Sequence, residues 1–170
     1  MPECSPGNAP IAYRRSRFST RLPVDRLYTP SHYWLLEVQP GLWRVGFTKF
    51  ATRMLGDLVE QRFDVSRGDP VSVGQAIGTV EGFKALTDLY CAVDGFFEEA
   101  NSALNDDPTL TDTDPYGAGW LYLARGTPDA NATDARRYTQ LLDLTIDRMQ
   151  ETGGANQLGP EGPAQTQGNA

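Results

Sequence analysis

The sequence predicts a mostly β fold built from a small antiparallel domain, on three observations. Between Leu27 and Leu123, short segments rich in Val, Ile, Phe, Tyr and Trp recur between Gly, Pro and Asp. The separators Gln39-Pro40-Gly41, Arg67-Gly68-Asp69-Pro70 and Asp94-Gly95 contain residues that suit chain reversals. A hydrophobic content of 39% in 170 residues is enough for one core and not two.

The elements follow in order. Residues 1–26 form an arm with Arg14, Arg15, Arg17, Arg21 and Arg26 among Ser, Pro and Gly, a composition that either wanders or drapes over a folded body. An organellar presequence is the competing reading of this arm, although Pro6, Pro10 and Pro23 interrupt any amphipathic helix there. Residues 27–128 hold the expected strands His32–Val38, Leu42–Thr48, Asp57–Phe63, Gln75–Glu81, Ala85–Ala92, Gly95–Ala100 and Trp120–Ala124. A short helix is expected over Lys49–Leu55, and a helical turn over Asn101–Leu104 leads into a long loop, Asn105–Pro115. Residues 129–150 carry a C-terminal helix over Ala135–Gln150, with Asp134 or Thr133 as N-cap and Leu141, Leu142, Leu144, Ile146 and Met149 as apolar positions. Residues 151–170 have no aromatic and much Gly, Pro, Gln and Asn, so a disordered tail is expected.

Several functions are disfavoured at this point. The net charge is −7 and the sequence pI about 4.6, which argues against nucleic acid and anionic membrane surfaces as partners. No apolar run approaches the roughly 18 residues that a membrane span needs, and no early secretory stretch is visible. Cys4 and Cys91 lie far apart, with Cys91 in an apolar strand pattern, so a disulfide framework is not implied. These features fit a cytoplasmic location, or a mitochondrial one if the Arg-rich arm is a presequence. His32 is the only histidine, so zinc clusters are missing and a hydrolytic triad would have to run through that residue. Trp34, Trp43 and Trp120 read as core packing.

Of 15 basic residues only Lys49 and Lys84 are lysines. Arginine stays protonated, whereas a lysine amine can lose its proton and be acylated. The stretch Thr79-Val80-Glu81-Gly82-Phe83-Lys84-Ala85-Leu86-Thr87-Asp88-Leu89-Tyr90 reads as strand, tight turn and strand, with Lys84 at the tip. Burying an unpaired ammonium there would cost several kcal/mol, so the amine is expected in solvent. Gly82 is expected to permit a sharp local backbone, and fixed strands on both sides place the amine reproducibly.

Here the sequence resembles the glycine cleavage H protein family, whose lipoylated lysine lies in Val-Glu-Ser-Val-Lys-Ala followed by Ser-Asp. This chain has Val80-Glu81-Gly82-Phe83-Lys84-Ala85 and then Thr87-Asp88. The likeness extends to Tyr28-Thr29-Pro30-Ser31-His32-Tyr33-Trp34, Val45-Gly46-Phe47-Thr48-Lys49-Phe50-Ala51 and Leu55-Gly56-Asp57. Downstream it includes Asn101, Leu104, Pro108-Thr109-Leu110 and Asp114-Pro115-Tyr116-Gly117-Ala118-Gly119-Trp120-Leu121, and it covers Leu27 to Pro128.

The resemblance implies a barrel-sandwich hybrid, lipoyl-domain-like, with two antiparallel sheets and residues 27–128 as the lipoyl-carrier domain. It implies lipoate in amide linkage to Lys84, with Glu81, Gly82, Phe83, Ala85 and Asp88 as its setting, and a cleft at Ser31, Tyr33 and Asp88 in which the arm parks. The protein would then catalyse nothing itself. Implied partners are glycine decarboxylase, which loads a methylamine, the aminomethyltransferase, dihydrolipoamide dehydrogenase, and a lipoyl ligase or octanoyltransferase. Acidic residues such as Glu98, Glu99, Asp106 and Asp107 are candidates for steering docking, or simply solvate a face.

The chain departs from the family at Tyr33, where most members have glutamate in Ser-His-Glu-Trp, and a tyrosine supplies no charge at neutral pH. Glu60-Gln61-Arg62 is more polar than the family strand and about one residue longer. Two alternatives stand beside glycine cleavage. One is an H-protein-like carrier of another pathway, such as bacterial sulfur oxidation; the other is a non-acylated binding module of the same fold.

Overall fold

The computed structural model describes residues 9–151. Of the expected disordered tail, 151–170, Glu151 ends the C-terminal helix and the rest lies outside the described residues, as does Cys4. In chain order the elements are β1 (Ile11–Arg15), β2 (Phe18–Leu22), β3 (Leu27–Tyr28), β4 (Tyr33–Gln39), β5 (Leu42–Phe47) and α1 (Lys49–Leu55). Next come β6 (Leu58–Phe63), β7 (Pro70–Val71), β8 (Ala76–Gly82), β9 (Leu86–Tyr90) and β10 (Val93–Ala100). The chain continues through α2 (Ala103–Asp106), α3 (Leu110–Thr113), β11 (Tyr122–Pro128) and α4 (Ala135–Glu151).

A six-stranded antiparallel sheet, ordered β3-β4-β5-β11-β10-β7, faces a three-stranded sheet, β6-β8-β9. Tyr33, Leu35, Val45, Phe47 and Tyr122 from the first meet Leu58, Ile77, Val80 and Leu89 from the second in the main core. Cys91 packs there as a small buried residue, its Sγ 3.2 Å from the Val93 carbonyl. This is the barrel-sandwich hybrid.

The opposite face of the large sheet is also covered. Trp34, pointing away from Tyr33 and Leu35 by the two-residue period of a strand, packs with α4 residues Tyr138 and Leu142 in a second cluster. Across from it, a Cβ at Gly46 would collide with the Trp34 ring, so the glycine makes room for the indole. The buried positions of α4, Ala135, Tyr138, Leu142 and Ile146, recur at three- and four-residue spacing and form one stripe. The Asp134 carboxylate accepts the Arg137 N–H at 2.8 Å, fixing the helix start at the expected cap.

Four expectations need correction. The arm is neither loose nor merely draped: residues 11–22 form a β-hairpin, the β1-β2 sheet, which buries Tyr13, Phe18 and Leu22 against α4 and α1. Asp94-Gly95 is not a turn but lies inside β10. Gly95 and Gly126 sit opposite each other where a Cβ on either would strike the facing strand's carbonyl. The loop Asn105–Pro115 contains α3 and the end of α2. The last barrel strand begins at Tyr122 and runs to Pro128, because Trp120 belongs to the turn that precedes it.

Candidate functional site

The lysine hairpin is tied to the end of α1 through its backbone. The Lys84 N–H donates to the Leu55 carbonyl and the Phe83 N–H to the Asp57 carbonyl, each at 2.8 Å. The Gly82 N–H closes the turn on the Ala85 carbonyl at 2.8 Å. Gly56, with φ 78°, ends α1 and lets the Lys84 backbone approach where a Cβ would crowd it. The main chain of the tip is therefore held on both sides. Lys84 is exposed, and its Nζ donates to the Arg53 carbonyl at 3.0 Å, one contact on an open surface.

The reason for Gly82 differs from the expected one. Its backbone is not left-handed; instead, a Cβ there would overlap the Leu55 carbonyl. Gly82→Ala is thus expected to push the hairpin off α1 and cost about 1–3 kcal/mol. Chemical denaturation measures this, and a slower rate of acylation at Lys84 accompanies it.

Phe83 and Leu86 flank the lysine at 84% and 71% exposure, an apolar rim open to solvent. Glu81 is exposed on β8. A bulge between Leu58 and Glu60 shifts the register of β6 opposite the hairpin.

Beside the hairpin lies a cavity of about 380 Å³ in which Ser31, Tyr33, Ala85 and Asp88 come together. Phe47, Phe50, Met54 and Leu55 make its apolar floor, and Thr145 and Met149 of α4 close one side. The α1 and α4 residues were not singled out in the sequence; they enter only because both helices pack over the same sheet face. Asp88 is exposed and is the sole carboxylate among the described walls. Tyr33 is 4% exposed, stacks on Phe47, and its hydroxyl accepts the Tyr90 N–H at 3.0 Å. Burial pushes its pKa up to about 12, so this wall is uncharged.

His32 borders the cavity in a left-handed conformation, φ 73°, with its ring against Phe50. The Tyr138 hydroxyl lies 2.8 Å from His32 Nδ1 and 2.9 Å from Thr48 Oγ1, joining β4, α1 and α4. Loss of hydration lowers the histidine pKa from 6.5 to about 4. The unfolded chain therefore takes up this proton first as the pH falls. The stability that depends on neutral His32 is complete above pH 6.5 and is lost progressively toward pH 4. Thermal melts across that window are expected to show the loss, and His32→Gln is expected to flatten it.

The segment 114–120 is held rigidly beneath the second cluster. Trp34 Nε1 donates to the Pro115 carbonyl at 2.9 Å, and Asn101 Nδ2 donates to the Ala118 and Trp120 carbonyls at 2.9 and 2.8 Å. Arg26 lies 4.7 Å over the Trp34 ring and donates to the Tyr116 carbonyl. Lys49 is committed to Asp112 at 2.9 Å, which leaves Lys84 as the lysine without an ion pair among the described residues. Among the proposed steering acids, Glu98 pairs with Arg125 and Glu99 with Arg67.

A barrel-sandwich whose lysine stands exposed at a hairpin tip, clamped through the main chain and next to an apolar cleft, has the architecture of a carrier domain. Comparison with known proteins narrows the class. A family model described as glycine cleavage H-protein matches residues 26–144. A glycine cleavage system H protein of Beutenbergia cavernae is 40% identical over 121 residues, covering 71% of this chain and 95% of the relative. One of Mycobacterium tuberculosis is 41% identical over 122 residues, covering 72% and 90%. The crystal structure of a glycine cleavage system H protein from Mycobacterium marinum matches with a TM-score of 0.65 at 38% identity, covering 72% of this chain and 99% of that one. The chain belongs to the glycine cleavage H-protein family, the lipoyl carriers of the glycine cleavage system. Among the described residues no helix is long and apolar enough to cross a membrane.

Proposed function

We propose that Lys84 carries lipoate in amide linkage and that the chain itself serves as the carrier between glycine decarboxylase, the aminomethyltransferase and dihydrolipoamide dehydrogenase. The observation that carries this reading is the combination of an exposed amine and a main chain fixed by the Leu55, Asp57 and Ala85 carbonyls. A lipoyl ligase or octanoyltransferase can reach such an amine, and the rim of Phe83 and Leu86 gives it an apolar surface to grip. The cavity residues suit the group as well: Phe47, Phe50, Met54 and Leu55 offer an apolar bed for a dithiolane, and Asp88 offers one negative charge.

When bound, the group supplies a disulfide that exchanges with thiols and takes up the aminomethyl cargo. The chain's residues do the rest. The clamp on the hairpin keeps the tether's origin fixed, so a docked partner meets the arm at an effective concentration on the order of millimolar. Asp88 holds a cationic cargo at the mouth of the cleft, and Ser31 adds a hydroxyl there. Tyr33 contributes shape but no charge, so the grip on the cargo rests on a single carboxylate. Nothing in the arrangement needs a catalytic residue on this chain.

The test is exchange of labelled bicarbonate into glycine by a glycine decarboxylase supplied with the lipoylated chain. Label in glycine is the expected result. Absence of label with an active control carrier would overturn the glycine role and favour a carrier of another pathway, for which the uncharged Tyr33 wall is the supporting feature.

A further inference from the structure

Lys84 borders a second cavity, of about 520 Å³, which adjoins the first at α1 and α4. Its outer wall is Arg15, Ser16, Arg17 and Phe18 of the β1-β2 hairpin, an element that precedes the family match at residue 26. Ile146 and Met149, beyond the end of that match at residue 144, close it from α4. The cavity exists because the hairpin is fastened to α4. Arg15 Nη2 meets Asp147 at 2.8 Å, the Tyr13 hydroxyl donates to Asp143 at 2.7 Å, and Phe18 lies edge-on to Phe50.

The two cavities share Phe50, Met54 and Met149 as a partition, and their charges are opposite. The first presents Asp88. The second presents Arg15, Arg17 and Arg53 and no carboxylate among its described walls. Asp143 and Asp147 neutralise Arg15 from behind, whereas Arg17 and Arg53 make no ion pair among the described residues. Phe18, Phe50, Met54 and Ile146 give the chamber an apolar lining that water hydrates poorly.

We propose that this hairpin chamber is a second resting site for the Lys84 arm, selective for the arm while it is uncharged. The occupant follows from the geometry. The Lys84 side chain already lines the chamber, so an acyl extension of that side chain reaches it directly. A dithiolane gains by covering Phe18 and Ile146, whereas an ammonium placed beside Arg17 and Arg53 is repelled. The family core supplies one parking place; the flanking elements of this chain add another of opposite preference. The proposal rests on lipoylation of Lys84.

The experiment uses the full chain, lipoylated enzymatically, with its intact mass measured first and the methyl groups of Met and Ile labelled with ¹³C. Nuclear Overhauser contacts from the dithiolane to Ile146 and Met54 are recorded in the oxidised state and again after amine loading by glycine decarboxylase. The expected result is contacts to Ile146 in the oxidised state that weaken about fivefold on loading, the scale of a modest charge repulsion near a protein surface. Arg17→Glu, at the exposed hairpin tip, is expected to reduce that weakening without altering the fold. A fully lipoylated chain with no contact to Ile146, or with equal contacts in both charge states, overturns this proposal and leaves the carrier function standing. A mass without the lipoyl group overturns the carrier reading itself and the proposal with it.

Discussion

Lys84→Arg is expected to abolish acylation and, with it, all exchange of bicarbonate into glycine, while leaving the fold intact. The guanidinium stays protonated at any working pH and offers no nucleophilic amine. The structural cost is small, since the residue is exposed, its main-chain bond to the Leu55 carbonyl is kept, and its side chain's bond to the Arg53 carbonyl is within reach of a guanidinium as well. Substitutions at such surface positions change stability by about 0.5 kcal/mol or less. An unchanged melt beside a total loss of exchange separates a missing attachment point from a damaged scaffold. Residual exchange by the variant would place the cofactor elsewhere.

Trp34→Ala is expected to destabilise the chain by about 3–5 kcal/mol, the range for removing a large aromatic from a core. Trp34 is fully buried, fills the space left by Gly46, and supports both Arg26 and the Pro115 carbonyl. Removing it leaves a cavity beneath the sheet and an acceptor without its donor, and frees segment 114–120. The midpoint of urea unfolding measures the loss. Trp43 offers the comparison: it is only partly buried and spans to the Gly126 carbonyl at 3.1 Å, so Trp43→Ala is expected to cost less.

The parts of the fold legible in the sequence are those where local chemistry and tertiary packing agree. The short helix expected over Lys49–Leu55 is α1, and the structure shows Thr48 capping it and Gly56 ending it. The strands β4, β5 and β8 were readable from β-branched and aromatic residues between turn residues. The β1-β2 hairpin was not, because its strands are rich in Arg and Ser and their few apolar residues find partners only in distant elements, Phe50 of α1 and the buried stripe of α4. Asp94-Gly95 has the composition of a turn, yet its glycine serves the crossing with Gly126. Short helices such as α3 carry too few residues for a periodic signal.

The site divides in the same way. The lysine, its hairpin and Asp88 lie within one short stretch, and Ser31 and Tyr33 were reached through the family likeness. Met54, Thr145 and Met149 had no such signal, since ordinary amphipathic helix positions become cavity walls only once both helices settle on one sheet face. The Gly82 result shows a residue correctly singled out for the wrong reason: close approach to the Leu55 carbonyl demands the glycine, not the dihedrals of the turn.

The most direct test of the central claim is the mass of the intact chain after co-expression with a lipoyl ligase, followed by mapping of the peptide that contains Lys84. The account predicts a gain of one lipoyl group located on that lysine. An unmodified chain in the presence of an active ligase, or a lipoyl group found on Lys49, would contradict it.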